Sequence, residues 1–138
     1  QFIGQLVSDG KISPKAWLDE DVTYHDACYL GRHNDEYDAP RDVIQSIMKD
    51  GNLKEMEQSR EESFCCGAGG GNMWYEIKTG ERINHNRFKQ AAKTGATTVA
   101  TACNFCNIMM EDGMKVTGND DNMKVVDIAE LVAQSLGK

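Results

Sequence analysis

Apolar positions along the chain fall into short blocks whose period switches between that of strands and that of helices. A short amphipathic segment carries Phe2, Ile3, Leu6 and Val7, and the run from Asp21 to His25 has the β-branched and aromatic content of a strand. Pro40 stands where helices begin, and Val43, Ile44, Ile47 and Met48 recur at helical spacing until Gly51, which predicts the stop. Leu53–Gln58 reads as a further strand, although its alternation leaves no clean apolar face. Helical patterning then runs from about Met73 to Lys93, with Gly80 as a break and Gly95 as its end. Thr97–Ala102 is β-branched and small, as a buried strand requires, and it leads straight into Cys103. A helix from Asn104 to about Met114, a turn at Gly118-Asn119-Asp120, a strand around Lys124–Val126 and a helix from Asp127 to Leu136 complete the pattern.

Alternating strands and helices predict an α/β fold with a mostly parallel, roughly four-stranded sheet flanked by helices, because parallel neighbours need a crossover between them. In that topology Cys28 follows the first strand, Cys65 and Cys66 follow the second, and Cys103 and Cys106 follow the third. All five cysteine-bearing positions are then expected beside the carboxyl ends of the strands, the edge where open parallel sheets place their ligands.

The 138 residues and 40% apolar content suit one compact domain with a real core. The chain begins at Gln1 without an initiator Met, leader or membrane-length apolar run, and so reads as a soluble, cytoplasmic piece of a longer protein. Any membrane association falls to other parts of that parent, with no direct insertion here. A formal charge of −7 with scattered Lys and Arg argues against nucleic acid, since phosphate binding needs clustered cations.

Five cysteines, two of them adjacent, do not make a closed disulfide framework, so metal or redox chemistry is the better reading. Thirty-six residues separate Cys28 from Cys65, and thirty-six more separate Cys66 from Cys103-x-x-Cys106. Cys103 and Cys106 share one face at a helix start, where the positive end of the dipole favours thiolates. The Gly67-Ala68-Gly69-Gly70-Gly71 segment has the small side chains and conformational freedom to bring backbone N–H groups close to sulfur. It lacks the Gly-Lys-Ser/Thr ending of a phosphate loop.

These motifs resemble a known family. His25-Asp26-Ala27-Cys28-Tyr29-Leu30-Gly31-Arg32, Tyr37-Asp38-Ala39-Pro40-Arg41, Ser63-Phe64-Cys65-Cys66-Gly67-Ala68-Gly69-Gly70 and Ala100-Thr101-Ala102-Cys103-Asn104-Phe105-Cys106 look like the CCG cysteine-rich domain of the heterodisulfide reductase B/D family. That domain also occurs in iron–sulfur subunits of glycolate and lactate oxidation. The resemblance implies a [4Fe–4S] cluster, non-cubane in form, with Cys28, Cys65, Cys66, Cys103 and Cys106 as metal ligands and Gly67 and Gly69 in the cofactor-binding loop. It further implies electron transfer with other redox domains or subunits, ferredoxin-type or flavin, and a disulfide, quinone or hydroxy-acid reaction at the end of the route. CCG motifs usually occur in tandem, so a single motif over residues 1–138 reads as the C-terminal half of such a module. Asn104 stands where the family pattern has proline, which bears on the helix start rather than on ligation.

Other residues carry two readings. His25 is a sixth ligand, a proton donor or a strand-end structural residue, while His33 and His85 look like surface residues. The resemblance makes Arg32 and Arg41 counter-charges to the cluster, whereas Arg82 and Arg87 read as solvated surface residues. Trp74 either shields the site or simply packs, and Met73, Met109, Met110 and Met114 read as core filling. Two rival functions use the same cysteines: a zinc-binding structural or interaction domain without redox activity, and an enzyme with Cys66 as nucleophile and His25 as its base.

Overall fold

A computed structural model of the chain describes residues 1–49 and 52–137. Three strands, β1 (Val22–Tyr24), β2 (Thr98–Thr101) and β3 (Lys124–Asp127), form one sheet in the order β1-β2-β3, parallel throughout. Val22 is paired with Thr98, and Val99 with Val125. Every residue of β1 and β2 is buried, as expected of a parallel sheet covered on both faces.

Helices α1 (Phe2–Ser8), α2 (Gly31–Asn34), α3 (Asp38–Ile47), α4 (Ile83–Lys93), α5 (Asn104–Val116) and α6 (Ile128–Ser135) complete the fold. The strand alternation sends Tyr24, Ala100 and Val126 to one face, where they meet Val43, Ile44 and Ile47 of α3 and Leu131 and Val132 of α6. Val99 points to the other face, against Phe88 and Ala91 of α4 and Met110 and Met114 of α5. Met110 and Met114 are thus core residues, as the sequence indicates. Asp127 caps α6 by accepting a 2.8 Å hydrogen bond from the Ala129 N–H, which ends β3 and starts the last helix within one residue.

Two expected elements are corrected. Leu53–Gln58 is not a fourth strand: it makes one isolated parallel bridge, Leu53 to Val22, with the Lys54 N–H donating to the Val22 carbonyl at 2.8 Å. Beyond Lys54 the segment turns away, because Glu55 is drawn to Arg41 and Met56 is buried under α4 and α5. The helix expected from Met73 starts only at Ile83: residues Gly69–Trp74 form a 3-10 turn, and Gly80 breaks the backbone at φ +80°. The helix stop expected at Gly51 lies outside the described residues; α3 ends at Ile47. Among the described residues no helix is long and apolar enough to cross a membrane.

The contact of α4 with α5 depends on Gly113. A Cβ there would stand 2.8 Å from the Asn84 carbonyl oxygen and 2.9 Å from Phe88 Cβ. Alanine gains about 1 kcal/mol of helix propensity over glycine, yet it has to push a neighbouring backbone aside. Gly113→Ala is therefore expected to destabilise the fold by about 1–3 kcal/mol, read as a lower denaturation midpoint at unchanged slope.

Candidate metal centre

Three loops deliver the cysteines to the carboxyl edge of the sheet. Cys28 lies just past β1, in a turn closed by the Leu30 and Gly31 N–H groups on the Ala27 carbonyl at 3.1 and 3.0 Å. Cys65 and Cys66 follow a 3-10 turn at Arg60–Glu62, and Ser63 is pinned there by Arg32, which donates to its carbonyl, and by Arg87, which donates to its hydroxyl at 3.1 Å. Cys103 is the N-cap of α5 and Cys106 lies in its first turn. All five cysteines line one cavity of about 320 Å³, together with Tyr29, Trp74 and Phe105. Cys66 and Cys106 are buried, Cys28 and Cys103 are half-buried, and Cys65 is exposed.

The sulfurs communicate directly. A hydrogen bond to Cys106, then burial, pushes the Cys66 thiol up to about 11 against an opposing bond from Cys65. The bond to Cys66, reinforced by burial, raises Cys65 as well. Gly67 adopts φ +88° and donates its N–H to Cys65 Sγ at 3.3 Å, with the Ile83 side chain closing the space where a Cβ would sit. Gly69 lines the cavity and its carbonyl accepts from Asn72 Nδ2 at 2.9 Å, while Gly70 and Gly71 both take left-handed conformations that turn the chain around the site. The donor set is all sulfur, with a backbone N–H on one of them, and this fits a soft, thiolate-bound metal group.

The charged residues are arranged differently from the sequence expectation. Arg41 is buried but spends its charge on carboxylates: it makes paired bonds to Asp26 at 2.8 and 3.0 Å and to Glu55 at 2.6 and 2.9 Å. It is a fold-holding residue and not a counter-charge to the cysteines. Arg87 is fully buried rather than solvated. Its Nε–H donates to Nδ1 of buried His25 at 3.0 Å. Arg32 is exposed yet lines a small recess with Cys28, Cys65, Cys66 and Cys106. Arg82 approaches Asp112 at 3.6 Å at the half-exposed edge of α4.

His25 has a ring nitrogen within 4.8 Å of the Cys66 and Cys106 sulfurs. Burial and the Arg87 charge push it down to about 3, so it is neutral at physiological pH and a poor proton store. Its backbone N–H extends the β1–β2 ladder to the Ala100 carbonyl at 2.9 Å, so it stands at the end of β1, while its side chain meets Arg87 and not the backbone. His33 is exposed and His85 faces Asp112 at 3.8 Å, away from the cysteines. Met73 and Met109 pack beside Cys66 and Cys106, while Trp74 stands at the cavity mouth with 81% of its surface exposed.

The sequence pattern of the CCG cysteine-rich domain matches residues 22–111, which carry all five cysteines. The chain belongs to the CCG family. CCG relatives include a probable iron-sulfur-binding oxidoreductase FadF of Bacillus subtilis, 44% identical over 99% of this chain and 19% of that protein. An EtfAB:quinone oxidoreductase of Syntrophomonas wolfei is 39% identical over 99% of this chain and 20% of its own length. One polypeptide of the dihydromethanophenazine:CoB–CoM heterodisulfide reductase of Methanosarcina barkeri is 37% identical over 99% of this chain and 33% of its own length. The chain therefore spans about a fifth to a third of the length of the curated relatives it matches.

The Asp26–Arg41 pair that anchors the first CCG loop generates a stability prediction. Burial opposes ionisation of Asp26, but Arg41 and the Arg60 N–H, which donates at 2.8 Å, outweigh it and hold the carboxyl below its usual range. A depressed carboxylate stabilises the fold fully above its unfolded value of about 4 and ceases to do so as pH falls through its folded value. Asp26→Asn is expected to cost about 3–5 kcal/mol at pH 7, with the gap to wild type closing below about pH 4, measured by denaturant unfolding across pH.

Proposed function

We propose that the chain is an iron–sulfur-binding electron-transfer module in which Cys28, Cys65, Cys66, Cys103 and Cys106 hold one [4Fe–4S] cluster. The observation that carries this reading is the convergence of all five cysteines on a single cavity. Membership of the CCG family and the iron–sulfur and oxidoreductase descriptions of the relatives support it. When bound, such a group stores single electrons at a potential set by cluster charge, hydrogen bonds to sulfur and exposure to water.

The chain's own residues supply those settings. The Gly67 N–H reaches a ligand sulfur, the packing of Met73, Met109 and Ala27 dries the inner side, and Cys65 opens the outer side to solvent. Thiols with raised pKa values have to lose their protons on ligation, so assembly releases protons and is favoured as pH rises. In the parent protein the module relays electrons between other redox subunits and a disulfide, quinone or hydroxy-acid reaction, and any membrane attachment belongs to other segments. The share of the relatives' length that the chain covers accords with one module among several.

The test is anaerobic reconstitution followed by elemental analysis and paramagnetic resonance. Brown protein with about four irons per chain is expected, and Cys66→Ser and Cys106→Ser are expected to lose most of that iron. Colourless protein holding one tetrahedral zinc would overturn the reading in favour of a structural domain.

A further inference from the structure

Arg87 is fully buried, and every acceptor it reaches is neutral. Its Nε–H donates to His25 Nδ1 at 3.0 Å, Nη1 to the Gln58 carbonyl at 2.8 Å and to Gln90 Oε1 at 2.6 Å, and Nη2 to Ser63 Oγ at 3.1 Å. Arg41 is buried too, but it meets two carboxylates. Removing a guanidinium from water costs several kcal/mol unless an opposite charge stands close by. Asp26, whose charge reaches Arg87 through space without a hydrogen bond, is already occupied by Arg41 and the Arg60 N–H. Among the described residues the fold therefore holds a buried cation that has four of its five N–H donors bonded to neutral acceptors and makes no ion pair of its own.

What lies beyond His25 is the cysteine site. One ring nitrogen of His25 and the sulfurs of Cys66 and Cys106 all fall within 4.8 Å of one another, a spacing that by distance alone looks like part of a metal site. The hydrogen bonding says otherwise. Arginine has only donors, so Nδ1 must be the acceptor, and a neutral imidazole that accepts on Nδ1 carries its proton on Nε2. Both nitrogens are committed, one by the Arg87 N–H and the other by its own hydrogen. His25 in this state has no lone pair to offer a metal, and its Nε2–H is the one polar group it has left for an acceptor.

We propose that Arg87 is the buried counter-charge of the thiolate centre and that His25, locked as the Nε2–H tautomer, is a positioning residue between them rather than a sixth ligand. This rests on the reading of the cysteines as cluster ligands. Ligation converts neutral thiols to thiolates and so gives the guanidinium a negative partner. A fixed positive charge beside the centre favours its more reduced, more negative state, and removing that charge lowers the reduction potential.

The test uses the full chain as wild type, His25→Gln, Arg87→Gln and Arg87→Lys, reconstituted anaerobically, with iron content and reduction potential as readouts. His25→Gln is expected to keep wild-type iron. Arg87→Gln is expected to shift the oxidised-to-reduced ratio at fixed ambient potential about tenfold toward oxidised, equivalent to about 59 mV for one electron, while Arg87→Lys stays near wild type. Iron lost from a folded His25→Gln chain, or equal potentials in wild type and Arg87→Gln, overturns the proposal. Should Arg87→Gln not fold, nitrogen-15 resonance of the histidines in the wild-type metal-free chain decides: Nε2–H at His25 supports the arrangement, and Nδ1–H overturns it. A wild-type chain that takes no iron sinks the cluster reading instead, and the tautomer measurement still judges the pair.

Discussion

The parallel pairing of β2 with both neighbours governs everything else in this chain. Because β1 and β3 run in the same direction as β2, the three strands finish on one edge. The chain can leave each strand only there, and it returns along a helical face. Cys28 follows β1 and Cys103 follows β2 at that edge, and the loop carrying Cys65 and Cys66 is pulled to the same place by arginines from two different elements. No disulfide or metal is needed to explain why the sulfurs meet. The backbone ladder brings them together, and side-chain hydrogen bonds set the last loop.

That last loop is the point at which sequence reasoning and structure part company. β2 and β3 were legible because β-branched residues in a short block fit a pleated, buried surface, and α3 was legible because Val43, Ile44 and Ile47 repeat at helical spacing and are buried together. Leu53–Gln58 alternates too, but Lys54, Glu55 and Glu57 give a strand no apolar face to bury, and one bridge to Val22 is all the pairing that survives. The convergence of Cys28, Cys65, Cys66, Cys103 and Cys106 did not depend on a strand there, so the site was readable although the sheet was one strand too wide.

Arg87 was misread for a different reason. On a polar helix an arginine is ordinarily solvated, and the partners that keep this one inside, His25, Gln58 and Ser63, are remote in sequence and carry no charge to betray the contact. One signal was present. Asn84, Arg87, Phe88 and Ala91 occupy the i, i+3, i+4 and i+7 positions of α4, and they are the residues that helix buries. Arg41 also sits on the buried stripe of its helix; the family resemblance pointed it to the cysteines, and its carboxylate partners Asp26 and Glu55, fourteen or more residues away, gave no local sign of the pairing.

The cysteines run from buried Cys66 and Cys106 through half-buried Cys28 and Cys103 to exposed Cys65. A centre seated among them has a wall behind it and a window in front, framed by the outward rings of Tyr29, Trp74 and Phe105. The same window that shortens an electron's jump to a visiting protein also admits dioxygen. For a centre held there, lifetime in air is then set by whatever covers that frame, and not by this fold alone.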